Sequence, residues 1–287
     1  MKMLAQSLRP KQQIKNGAIF IGAFASGNVS NTDMLIRVLL LVVFWVFLSG
    51  SIYLLNDISD FEHDRHHPIK KSRPIASGRL PIKRGLIASI VLLCVGCIGL
   101  YRLSVTSLLL GLFYLSINIA YSFWLKNVAV VDLVIISCGF VIRGVSGVFI
   151  VHAQPTVWFS LLAIFGSLLM LGGKRLAQRS EASEDLKSTR LNVRSYNSNF
   201  LYQLQSISSG GLIMSYIMMA QNRVTFSTFS RIFLEISIIP FLATIVYILY
   251  YQNTDNESDV ASLLVTRKPL LISEIIWFLT FSVSVLS

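Results

Sequence analysis

Long, unbroken apolar runs dominate this chain and leave it few folds to choose from. Nine of them stand out, at roughly 14–28, 34–58, 85–102, 105–124, 128–151, 156–175, 198–221, 231–251 and 269–286. About 18 or more apolar residues suffice to cross a bilayer as a helix. Inside hydrocarbon every backbone N–H and C=O must be satisfied internally, so only helices and closed barrels span it. Barrel strands alternate and are about half as long, which these runs do not match. The expected fold class is therefore an all-α integral membrane protein of about nine transmembrane helices, the first short enough to lie tilted or partly interfacial. Composition agrees, with 54% hydrophobic and only 14% charged residues among 287, against about 25% charged in soluble domains. No internal repeat is evident. The polar, basic N-terminus shows no cleavage-site pattern, so the whole of 1–287 is expected to be one mature polytopic domain.

The net charge of +11 would suit nucleic acid, but its distribution excludes that partner. Nine spans place the N-terminal tail and the loops after even-numbered spans on one face. That face carries twenty Lys and Arg, the other face carries four, and Arg143 lies within a span. By the positive-inside rule the tail and the large loops, about 57–84 and 174–197, are cytoplasmic, in a plasma (inner) membrane. Cys94 and Cys97 form a CxxC inside an apolar run with no His or second CxxC near it, so they read as packing residues rather than a metal or redox pair.

The main polar feature closes the second span: Asn56-Asp57-Ile58-Ser59-Asp60-Phe61-Glu62-His63-Asp64-Arg65. At about 100° per residue, Asp57, Asp60 and Asp64 fall within about 60° of one another, with Asn56 beside them. Three carboxylates on one helical stripe repel unless a cation lies between them. An oxygen-only set suits Mg²⁺, which keeps waters and takes further ligands from substrate phosphates. Arg65, Lys70, Lys71 and Arg73 follow at once and can neutralise phosphate oxygens. Pro68, Pro74 and Gly78 fold this stretch into a loop. His63, His66 and His67 read as solvated or phosphate-contacting.

A second polar group ends the sixth span, Gly172-Gly173-Lys174-Arg175 with Gln178, followed by Arg190, Arg194 and Tyr196. Its glycines allow close backbone approach, and its cations suit an anionic ligand. Arg143 is costly inside a membrane helix and by default marks a site, pathway or partner. Asp132 precedes it by eleven residues and shares its helical face to within about 20°. The acidic loop of Asp255, Glu257 and Asp259 reads as solvated.

The motif Asn56-Asp57-x-x-Asp60-x-x-x-Asp64 resembles the first signature of the UbiA prenyltransferase superfamily. Further segments resemble one branch of it, the decaprenyl-phosphate phosphoribosyltransferases. They are Arg9-Pro10-Lys11-Gln12 with Lys15-Asn16, Arg73-Pro74-Ile75-Ala76-Ser77-Gly78, Tyr121-Ser122 with Lys126, Asp132 with Arg143, and Gly173-Lys174-Arg175-x-Ala177. The resemblance implies nine helices around a central cavity and a Mg²⁺-dependent transferase. Its donor would be 5-phosphoribosyl diphosphate and its acceptor a polyprenyl phosphate, reached from the membrane lipid. Asp57, Asp60 and Asp64 would be the catalytic metal ligands. Asn56, Arg65, Lys70, Arg73, Lys174, Arg175, Lys15, Tyr196 and Arg143 would bind substrate. Gln178 and Thr266 stand where the branch pattern leads one to expect acidic residues. The second Asp-rich motif of aromatic prenyltransferases is not clean, with Glu181, Glu184 and Asp185 its nearest candidates. Aromatic prenyl transfer and a non-catalytic relative remain as alternatives, and a transporter is disfavoured because it does not need the Asp stripe.

Overall fold

In the computed structural model the described residues are 2–27, 32–66, 70–125, 128–182, 196–221, 227–254, 260, 263 and 266–286. Among them there is helix and no strand. All nine expected spans fall on helices. Seven helices are long and apolar enough to cross a membrane; Ile14–Ala25 is apolar but shorter. Ser198–Gln221 lies where a span was expected, yet it buries Gln205, Ser208, Ser209 and Ser215, and this polar content keeps it out of the seven. The protein is a multi-pass membrane protein, and the described residues divide into two compact units, Met1–Gln154 and Pro155–Ser287.

In the first unit the chain runs through α1 (Lys2–Ser7), α2 (Pro10–Gln13), a 3₁₀ turn (Ile14–Asn16), α3 (Gly17–Ala25), α4 (Thr32–Ser59) and α5 (Phe61–His66). A second 3₁₀ turn (Lys70–Ser72), α6 (Ile82–Leu103), α7 (Val105–Phe123) and α8 (Val131–Ile150) complete it. Its core gathers Ile19, Leu41, Trp45, Leu48, Leu100 and Ile142 from α3, α4, α6 and α8. Lipid is as apolar as leucine, so close packing rather than water exclusion joins such helices. The α3–α8 crossing meets that demand backbone to backbone. A Cβ on Gly22 would lie 2.0 Å from the Gly144 carbonyl oxygen, and one on Gly147 would lie 2.0 Å from that of Ile19. The outward sides carry exposed Ile87, Ile98 and Leu109, as a lipid-facing surface should.

The second unit holds α9 (Val157–Ala182), α10 (Ser198–Gln221), α11 (Thr228–Ile236), α12 (Ile238–Thr254) and α13 (Lys268–Leu286). Its interior includes an aromatic cluster in which Trp277 Nε1 donates to Tyr216 Oη (2.9 Å) and Tyr216 Oη shares a 2.7 Å bond with Ser237 Oγ. The Gln205 side chain donates to Gln252 at 2.7 Å. Each buried polar group so paired avoids the cost of an unmet hydrogen bond in an apolar setting.

Candidate active site

The Asp stripe survives a break in its helix. α4 ends at Ser59 and α5 begins at Phe61. Across the junction the Asp60 N–H donates to the Asn56 carbonyl (2.9 Å) and the Asp64 N–H to the Asp60 carbonyl (2.8 Å). These i→i−4 bonds preserve helical phase, so Asp57, Asp60 and Asp64 stay on neighbouring turns of one face. Asp57 and Asp64 are 2% and 1% exposed, a burial that carboxylates tolerate only when paired. Asp60 is half-buried at the junction.

Three cations meet the buried pair. Arg73 Nη1 lies 3.1 Å from Asp57 Oδ1 and 2.5 Å from Asp64 Oδ2, bridging the two. Arg9 Nη2 donates to Asp57 Oδ1, and Lys70 Nζ stands 3.9 Å from Asp64 Oδ1. The loop chemistry explains how Arg73 gets there. Its carbonyl accepts from the Ser77 N–H (2.9 Å), the Pro74 carbonyl accepts from the Leu80 N–H (2.8 Å), and Gly78 closes the turn at φ 74°. Ile75 and Leu80 then pack on Leu54 of α4. The Arg-Pro-Ile-Ala-Ser-Gly segment is thus a folded turn plugged into the core by Ile75, and it delivers the guanidinium over both carboxylates.

The other sequence-selected residues of the first unit are distributed unevenly. The Asn56 side-chain oxygen accepts from Ser122 Oγ of α7, which fixes its orientation. Arg65 is exposed and lies over the Phe61 ring, 5.5 Å from its centroid. His66 is exposed on its own helix turn. Lys15 is half-buried with its Nζ 6.0 Å from the Phe140 ring centroid. Arg143 is 3% exposed and turned into the helix packing. It donates through Nε to Asn16 Oδ1 (2.7 Å), through Nη1 to the Gly139 carbonyl (2.8 Å) and through Nη2 to Tyr114 Oη (2.7 Å). The Tyr114 and Trp45 rings flank it at 4.5 and 5.5 Å. Asp132 is fully buried at the start of the same helix, about 16 Å along the axis by helical rise, so a shared face does not make the two an ion pair.

In the second unit Lys174 is exposed near the end of α9, while Arg175 is 6% exposed and donates to Gln178 Oε1 at 2.7 Å. Gln178 supplies a neutral acceptor at the position where an acid was expected. The Tyr196 ring is buried and stacks on Phe200 at 5.6 Å, and its carbonyl accepts from Arg179. Lys126, Glu184, Asp185, Arg190, Arg194, Asp255, Glu257 and Asp259 lie outside the described residues, as do His67 and Pro68.

Sequence reasoning did not select Arg9 or Ser122 as site residues. Both lay in segments carrying the family resemblance, but their partners are 48 and 66 residues away. Neither pairing has a local signal.

Among the described residues no three His, Cys, Asp or Glu side chains converge closely enough to form a metal cage on their own. The site nevertheless fits a magnesium ion of the kind that takes few protein ligands. Asp57 and Asp64 already share one cationic nitrogen, and Asp64 Oδ1 is buried with no hydrogen-bond partner. With only Lys70 Nζ near it, at 3.9 Å, that oxygen has capacity for a further cation.

Comparison with known proteins finds relatives in sequence and in fold. A profile of the UbiA prenyltransferase family matches residues 17–264. The decaprenyl-phosphate phosphoribosyltransferase of Corynebacterium glutamicum is 31% identical over 257 residues, covering 88% of this chain and 76% of that protein. That of Mycobacterium tuberculosis is 30% identical over 256 residues, covering 88% and 83%. Among solved structures, one of digeranylgeranylglyceryl phosphate synthase aligns with a TM-score of 0.70 at 18% identity, covering 99% of this chain and 98% of that one. A UbiA homolog from Archaeoglobus fulgidus bound to GPP and Mg²⁺ aligns at 0.70 and 15% identity, covering 99% of both. At such identities the structural matches speak for the fold.

Proposed function

The chain belongs to the UbiA prenyltransferase family, and from that premise we propose that this membrane transferase moves a 5-phosphoribosyl group from 5-phosphoribosyl diphosphate to a polyprenyl phosphate. The observation that carries the reading is about 30% identity over 88% of the chain to decaprenyl-phosphate phosphoribosyltransferases. The site chemistry supports it: two buried carboxylates lie beneath three cations. The reaction runs at the cytoplasmic face of the plasma membrane, where the basic tail and loops are placed by their charge.

Asp57 and Asp64, with Asp60 and Asn56 beside them, would hold Mg²⁺, which when bound would supply positive charge against the donor diphosphate. Arg73 and Lys70 exchange their carboxylate contacts for phosphate oxygens, for which a planar fork and a point charge are both suited. Lys174, exposed on α9, is a cation suited to an anionic ligand. The C1–O bond to diphosphate breaks and a C1–O bond to the acceptor phosphate forms, releasing inorganic diphosphate. The acceptor oxygen is already anionic at neutral pH, so the site needs cations to stabilise the leaving group and no strong general base. A cluster rich in Arg and Lys meets that requirement.

The test is transfer of label from radiolabelled 5-phosphoribosyl diphosphate into the lipid phase, with polyprenyl phosphate, Mg²⁺ and the purified chain. Metal-dependent label that disappears in Asp57→Ala supports the reading. Label appearing instead from a prenyl diphosphate on an aromatic acceptor would replace it with aromatic prenyl transfer, and donor binding without turnover would indicate a non-catalytic relative.

A further inference from the structure

The polar segment ahead of α3 is tied to the membrane helices by a continuous set of hydrogen bonds. Arg143 on α8 donates to Asn16 Oδ1 at 2.7 Å, and Asn16 Nδ2 donates to Gln13 Oε1 at 2.8 Å. Ser49 Oγ of α4 donates to the same Gln13 oxygen at 2.8 Å. Gln13 Nε2 then donates to the Leu8 carbonyl at 2.9 Å, which is the peptide group that begins Arg9. The Leu8 side chain fits where Gly50 of α4 has none: a Cβ on Gly50 would come 2.6 Å from Leu8 Cδ2. Asn16 is 1% exposed and Ser49 is fully buried, so the anchor end of the network is sealed.

At the other end stands Arg9, with φ 50° and ψ 68°. Non-glycine residues seldom adopt this left-handed conformation, and when they do the surrounding structure imposes it. Here it aims the guanidinium between the Tyr53 ring, 5.3 Å away, and the Asp57 carboxylate. Arg9 is 21% exposed whereas Asp57 is 2%. The cation thus covers the carboxylate from the open side.

We propose that residues 8–16 form a clamp on the carboxylate site, in which Arg9 is a further donor-site cation and Asn16, anchored on Arg143, is a positioning residue that acts through it. A guanidinium on Asp57 competes with a divalent cation for the same oxygen. Once metal and donor arrive together, the same guanidinium pairs with donor phosphate. The clamp therefore weakens binding of bare metal and strengthens binding of metal with donor. The donor half of this statement rests on the proposed phosphoribosyl transfer; the metal half does not.

The test is a double-mutant cycle on the full chain in lipid, with Asn16→Ala, Gly50→Ala, Arg9→Ala, the two doubles containing Arg9→Ala, and Arg9→Lys beside them. Two quantities are read: donor KM against kcat, and affinity for Mn²⁺ alone from the spin-resonance signal of the free ion. Asn16→Ala and Gly50→Ala each raise donor KM about tenfold with kcat little changed, as expected for a lost charge-assisted contact. They also tighten Mn²⁺ binding about threefold, the scale of one half-exposed ion pair. In the Arg9→Ala background both shifts disappear, while Arg9→Lys restores part of the donor affinity. Shifts that persist undiminished without Arg9 would overturn the clamp and reduce the network to helix packing. If the wild type transfers no phosphoribosyl group, the Mn²⁺ cycle alone decides the clamp, and the functional reading fails separately.

Discussion

The first unit buries charge in two places and treats it in opposite ways. Arg143 is 3% exposed, and its partners are neutral: an amide oxygen, a backbone carbonyl, a phenol and two ring faces. Where α4 meets α5 the buried charges are carboxylates, and their partners are the partly exposed cations Arg9, Lys70 and Arg73. A cation bonded through all three nitrogens inside a helix crossing has little to exchange with. Cations resting over buried carboxylates can be traded for a metal ion and the phosphates it brings. The difference separates a charge locked into helix packing from charges that can be exchanged, although a sequence alone presents each simply as charge in or beside a membrane span.

The sharpest break in this comparison is Asp57→Asn. It keeps the shape, removes the charge, and is expected to cut phosphoribosyl transfer about a thousandfold, the scale of losing a main electrostatic element of a site. Arg143→Leu comes next. It leaves Asn16 and Tyr114 without their donor and should cost about 3 kcal/mol of stability, read from thermal unfolding in detergent with and without Mg²⁺. Addition of Mg²⁺ should not restore it. Arg73→Ala uncovers two carboxylates and should cost about 1–2 kcal/mol in metal-free buffer, a loss that millimolar Mg²⁺ largely reverses because a second cation can take its place. Equal rescue of both variants would erase the distinction drawn between the two regions. Gly78→Ala forces a side chain into the left-handed turn at φ 74° and should cost about 1 kcal/mol, accompanied by a raised donor KM because the turn carries Arg73. Arg65→Ala, exposed over Phe61, should change transfer by less than about twofold.

The sequence made the carboxylate stripe legible because helical phase is a local property: a spacing of three and four residues places side chains on one face whether or not the helix pauses at Asp60. It made Arg73 visible as a loop cation but not as the bridge between Asp57 and Asp64, since that depends on Ile75 finding Leu54. Arg65 and Arg73 look alike in sequence, eight residues apart in one basic loop, yet only Arg73 reaches the pair. Arg143 stood out for its cost in a membrane, while the reason it is tolerated lay 127 residues away in Asn16.

By itself the sequence determined the class of molecule. Apolar runs of bilayer length become helices because inside hydrocarbon the backbone must satisfy its own hydrogen bonds. The Asp spacing determined that three carboxylates share one helical face. Only the tertiary structure decided which cations cover the carboxylates, that Arg143 faces Asn16 and Tyr114, and that the N-terminal segment closes on Asp57. Those choices depend on contacts between residues distant in the chain, and packing rather than local pattern brings such residues within hydrogen-bond reach.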